Sequence, residues 1–83
     1  MRKRRELADR NSVHLRNHLK QHRARLDLTQ EELAVRVGVR RQTILAIEKG
    51  HYAPSAVLAL LLAKELGMSV DDLFELETRE EGE

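Results

Sequence analysis

The sequence predicts an all-α domain of five short helices, and three features carry that prediction. One Phe, one Tyr and no Trp occur among 83 residues, so the core must be Leu, Val, Ile and Ala, which suits short packed helices and argues against a sheet. Apolar residues recur at helical spacing along most of the chain. Capping signals at Thr29, Ser55 and Ser69, and glycines at 38, 50 and 67, punctuate that pattern at short intervals. Eighty-three residues make one domain, near the lower limit for an unaided hydrophobic core.

In chain order, residues 1–11 open with MRKRR and read as a basic N-terminal arm. Two readings of it stand: an arm that reaches a groove or clamps a nucleic-acid backbone, or a solubilising tail. Between Glu6 and Ser12 the pattern is ambiguous, and Leu7 and Ala8 can begin an extra helical turn. The first helix is expected from Ser12 or Asn17 to Leu26, on a stripe of Leu15, Leu19 and Leu26 with Arg23 between and Val13 joining it. His14, His18 and His22 would then share one face at i, i+4 and i+8. Two such imidazoles can ligate a metal, but no cysteine or carboxylate stands in the same register, so no metal site is assigned.

Thr29 followed by Glu32 is a capping-box signal that starts the second helix at Gln30. Leu33, Ala34 and Val37 give it one apolar stripe, and Ala34 is small enough for close approach of the next helix. Gly38 takes a positive φ without a Cβ clash and turns the chain. In the third helix Ile44 and Ile47 face inward, and Gly50 ends it. The opposite side carries Gln42, Ala46 and Lys49, flanked by Thr43 and Leu45, with Arg40 and Arg41 at the N-terminal end. Amide, hydroxyl and cationic groups on an outward face suit base edges and phosphates better than a protein core.

The loop His51–Pro54 follows. Ser55 caps a helix reaching Leu66, with Gly67 just past its end. Leu58, Leu62, Ala63 and Leu66 face the core, while Val57, Leu60 and Leu61 lie on the other side with Lys64. A helix apolar on both sides wants two partners, the second being another subunit or the N-terminal extension. Ser69 and Asp72 open a short last helix through Leu73 and Phe74. Met68, Val70, Leu73 and Phe74 offer more apolar surface than a small domain can bury internally. The domain is therefore placed at residues 12–76 and an acidic tail at 77–83.

Net charge is only +1, but it is unevenly spread. Residues 1–25 carry nine Lys/Arg against two acids, a local +7, and residues 71–83 carry seven acids against one Arg, a local −6. Separated poles predict one face for a polyanion and another held away from it, the acidic end pointing away; the other reading is charged tails that aid solubility. The chain has no cysteine, consistent with a reducing cytosol and a cytoplasmic location. The longest apolar run, residues 56–63, is too short to span a bilayer, and the charged N-terminus is not followed by the apolar region of a secretory signal. No Gly-rich phosphate loop, paired carboxylates in an apolar setting or activated nucleophile is present, so the expectation is no enzyme and no cofactor.

The stretch from Thr29 to Gly50 resembles the helix-turn-helix of the lambda-repressor-like family (phage repressor, Cro and Xre-type regulators). Gln30, Leu33, Ala34, Gly38, Val39, Ile44, Ile47 and Glu48 carry the match, which extends over about residues 17–74. The resemblance implies several roles. Arg23 pairs with Glu48, fixing how the first and third helices meet. Asp27 stands where many relatives have a helix-ending glycine. Gln30 anchors to phosphate, the loop places Lys49, His51 and Tyr52 at the DNA backbone, and Arg40 replaces the usual Ser or Thr cap and can add a phosphate contact. Tyr52 has a second reading, as a lid over the core. Arg41, Gln42, Thr43 and Ala46 would meet bases: Arg41 a guanine, Gln42 the N6 and N7 of adenine, Thr43 a thymine methyl or a hydrogen bond.

In relatives the positions of Val57 and Leu61 are often charged, and the family often dimerises through its last helix. Val57, Leu61, Met68, Val70, Leu73 and Phe74 are thus the expected dimer interface, and Phe74→Asp is expected to give monomers. The function implied is a homodimeric regulator of transcription, most simply a repressor, on an inverted repeat in double-stranded DNA. The alternatives are an antitoxin-type module that binds a partner toxin and a restriction–modification controller protein. No small-molecule effector domain is expected.

Overall fold

A computed structural model describes residues 13–78 of the chain. The element order is β1 (Val13–Asn17), α1 (Leu19–Arg25), α2 (Gln30–Val37), α3 (Arg41–Glu48), α4 (Ala56–Leu66), α5 (Val70–Leu73) and β2 (Phe74–Thr78). Five helices are present as expected. The all-α class is corrected: β1 and β2 pair antiparallel, with Val13 opposite Thr78 and Asn17 opposite Phe74. The basic arm at residues 1–11 and the residues beyond Thr78 lie outside the described segment, and β2 reaches two residues past the boundary placed at 76.

Starting the first helix near Ser12 is wrong for a physical reason. The Asn17 Oδ1 accepts the Leu19 N–H at 3.0 Å, and the next backbone donor, His18 N–H, goes to the Leu73 carbonyl at 2.9 Å. Both groups are thus drawn into a turn and a long-range bond instead of a continuing helix. His14 lies in β1, His18 in the link and His22 in α1, so the three imidazoles share no helical face. Nor are the charge poles kept apart among the described residues. Arg16 lies 3.5 Å from Glu77 and His18 lies 3.6 Å from Glu75; the pairing across the ribbon brings them together. These contacts are solvent-exposed or nearly so, and each is worth little.

α1 to α4 all close alike. In each, the residue after the turn donates back five positions and the turn residue donates back to the carbonyl inside it: Val39 to Ala34, His51 to Ala46, Met68 to Ala63 and Leu28 to Arg23, at 2.9–3.0 Å. The motif needs a left-handed residue at the turn. Three helices use glycine, and α1 uses Asp27, at φ 60. An L-residue there carries a strain that glycine avoids, partly offset because glycine has more unfolded-state entropy to lose. Asp27→Gly is therefore expected to stabilise the domain by about 0.5–1 kcal/mol, a rise of several degrees in Tm by calorimetry. An unchanged or lower Tm would show that Asp27 is not strained.

The core is aliphatic with one aromatic. Leu19, Leu33, Ile44, Ile47, Leu62 and Leu73 are fully buried, and Phe74 is 7% exposed. The third and fourth helices bury the residues expected of them: Ile44 and Ile47, then Leu58, Leu62, Ala63 and Leu66. Two of the residues expected at an interface between subunits are corrected. Leu73 (0% exposed) and Phe74 belong to the chain's own core: the single-turn α5 packs against α4 and runs directly into β2. Met68 and Val70 are half-buried against the same core. Val57, at 68%, and Leu61, at 42%, remain exposed on α4.

Candidate nucleic-acid interface

The capping box at the start of α2 is complete. The Glu32 N–H donates to the Thr29 hydroxyl at 3.0 Å, and the Thr29 N–H donates to the Glu32 carboxylate at 2.8 Å. The Thr29 backbone bond, helped by its side chain, holds the Glu32 carboxyl below its usual range. A depressed carboxyl favours folding above its ordinary pKa, and that contribution fades as acid protonates it. Two acids in the first turn also suit the positive end of the helix. α2 then presses Leu33, Ala34 and Val37 inward, and Gly38, at φ 76, turns the chain toward α3.

α3 is held from beneath by Ile44 and Ile47. Above them, Arg41 and Gln42 are exposed, and Thr43, Leu45 and Ala46 are half-buried. Arg40 occupies the N-cap in extended backbone, φ −86 and ψ 155, with no side-chain cap. Its carbonyl accepts the Thr43 N–H at 2.9 Å, and its own side chain is exposed. At the other end Lys49, His51 and Tyr52 are all exposed. Tyr52 is 47% exposed, so it is not a sealed lid over the core. Arg40, Arg41 and Gln42 are thus exposed at the start of α3, and Lys49, His51 and Tyr52 are exposed just past its end.

A largely buried polar joint holds α3 in place. Arg23 Nε donates to Glu48 Oε2 at 2.7 Å and its Nη2 to Glu48 Oε1 at 3.3 Å, while Nη1 donates to the Leu28 carbonyl at 2.9 Å. The side chains are 14% and 5% exposed, so this is a forked ion pair in a dry setting. Gln30 Nε2 donates to Glu48 Oε1 at 3.0 Å. That bond fixes the Gln30 amide at the start of α2 while its nitrogen keeps a second hydrogen for another acceptor. Glu48 thus joins α1, the start of α2 and the end of α3.

Sequence reading missed Asn17. Its Nδ2 donates to the Ile47 carbonyl at 2.9 Å, satisfying one of the last carbonyls of α3 and tying β1 to it. Only the asparagine before an apolar helix start hinted at this.

The helix-turn-helix family pattern matches residues 19–73. The chain belongs to the lambda-repressor-like helix-turn-helix family. Members of this family are DNA-binding transcriptional regulators, not enzymes, and their ligand is double-stranded DNA. An HTH-type transcriptional regulator of Methanothermobacter thermautotrophicus is 53% identical over 64 residues, covering 76% of this chain and 93% of that protein. YgzD of Bacillus subtilis, an HTH-type transcriptional regulator, is 49% identical over 63 residues, 76% of this chain and 96% of its own. Among solved structures, the restriction–modification controller protein C.AhdI from Aeromonas hydrophila superposes with a TM-score of 0.64 at 34% identity, over 68% of this chain and 85% of that one. The clp gene regulator ClgR from Corynebacterium glutamicum gives 0.62 at 31% identity, over 65% of this chain and 57% of its own. The family match stops short of both strands of the β1–β2 ribbon. No helix of the described residues is long and apolar enough to cross a membrane.

Proposed function

We propose that this helix-turn-helix regulator binds an inverted-repeat operator as a homodimer in the cytoplasm and represses transcription by occupying it. The supporting observation is the two-sidedness of α3: Ile44 and Ile47 are buried while Arg41 and Gln42 are uncovered. In this reading Arg41, Gln42, Thr43 and Ala46 meet base edges in the major groove. Gln30, Arg40, Lys49, His51 and Tyr52 grip phosphates, which sets register and orientation. One recognition helix reads few base pairs, so two copies about 34 Å apart would read two half-sites.

The dimer contact is assigned to α4, where Val57, Leu60 and Leu61 form an exposed apolar strip, rather than to Met68 and Val70, which pack against the core. A Val57→Asp, Leu61→Asp double variant should sediment as a folded monomer with unchanged helical circular dichroism. An unaltered dimer would move the interface elsewhere. A second reading, a restriction–modification controller, draws support from the likeness to C.AhdI; a nuclease–methylase pair beside the gene would favour it. Selection from random duplex DNA followed by a salt titration tests the main reading. It should yield an inverted repeat whose binding weakens steeply with salt, because phosphate contacts release counterions. No enrichment, or a flat salt response, would count against it.

A further inference from the structure

Between β1 and the loop after α3 lies a cavity of about 220 Å³. Its polar lining comes from two places: His14 and Asn17 on β1, and His51 and Tyr52 on the loop. Ile47 and Phe74 are among its apolar lining, and no carboxylate among the described residues borders it. His14 Nε2 is itself covered and has no hydrogen-bond partner. A buried polar nitrogen left unpaired is costly, so an acceptor that reaches it recovers free energy the free protein forgoes.

The loop side of the cavity directly follows α3. When the exposed face of α3 enters a major groove, His51 and Tyr52 lie beside the sugar–phosphate chain. We propose that the cavity seats one backbone phosphate, with His14 of β1 as a donor to it beside His51 and Tyr52. This rests on the DNA-binding reading above. It gives the ribbon, which the family match does not include, a part in operator binding. Glu77 stands opposite His14 across the ribbon but does not line the cavity, whose polar groups can all donate to an anion. Nε2 is covered in the free protein, so contact requires the His14 ring to turn.

Phosphate-ethylation interference on the selected operator tests this. For the wild-type chain, ethylation of one phosphate per half-site, flanking the bases read by α3, should block binding. In His14→Phe that phosphate should cease to matter, and affinity should fall about 10-fold on operator and unrelated DNA alike, the worth of one hydrogen bond to a charged group. His51→Ala, at an exposed position that does not threaten folding, should release the same phosphate. If His14→Phe folds and its interference pattern matches wild type, or if it does not fold and His51→Ala leaves the pattern unchanged, the inference is overturned. Interference at no phosphate for any form would overturn the DNA-binding reading itself, and this site with it.

Discussion

Glu48→Ala is expected to lower the unfolding free energy by about 3–5 kcal/mol, the loss that follows when one half of a buried ion pair is removed. The pair is forked and its two side chains are 14% and 5% exposed, so the Arg23 guanidinium would be left with the Leu28 carbonyl and little water. A domain of this size has about 4–12 kcal/mol in total, so the variant should be near its folding limit at ordinary temperature. Gln30 would also lose the acceptor that orients its amide. Replacing both partners, Arg23→Met with Glu48→Leu, should recover most of the stability, since a well-packed apolar pair avoids the desolvation penalty. Urea denaturation of the three variants measures this directly. A Glu48→Ala loss below about 1 kcal/mol is what a solvated surface pair would give, and would contradict the burial.

Phe74→Asp should unfold the domain rather than separate subunits. Read from sequence, Phe74 belongs to the last helix's apolar surplus and to a dimer contact. In the structure it is 7% exposed, ends α5, and pairs with Asn17 as the first residue of β2. Truncating a buried Phe alone costs about 3–5 kcal/mol, and burying an unpaired carboxylate adds to that. The expected result is loss of helical circular dichroism at 25 °C, in contrast to the folded monomer expected of the α4 double variant. A folded, monomeric Phe74→Asp protein would restore the original assignment.

These two residues mark where sequence reading succeeds and where it stops. The capping box, the Gly38 turn and the inward pair Ile44 and Ile47 are legible because each is local: one turn of helix contains all the chemistry. The Arg23–Glu48 pair spans 25 positions and came from family resemblance, not from spacing. The ribbon joins Arg16 to Glu75 and Glu77 across the whole domain, a separation that no helical window samples. Its signal was present: VHLR and FELE alternate apolar and polar residues with opposite charge. But Leu15 and Leu19 also fit a helical stripe, and five residues are too few to choose between the two periods. Burial in α5 was illegible for a similar reason, since a single turn has no periodicity to show which side faces in.

The interface shows the same division. Which residues lie along α3 follows from 100° per residue, and the exposed Arg41 and Gln42 are where that angle puts them. Asn17 and His14 are brought beside the end of α3 only by the ribbon, so no reading of α3 and its loop could include them.

The central claim is that the uncovered face of α3 selects DNA sequence. Gln42→Ala tests it most directly, by measuring binding to the selected operator and to duplexes altered at single positions. The expected result is relaxed preference at one base pair per half-site, by about 1–3 kcal/mol of discrimination, with non-specific binding and Tm nearly unchanged. A uniform loss on all DNA, or full discrimination retained, would contradict it.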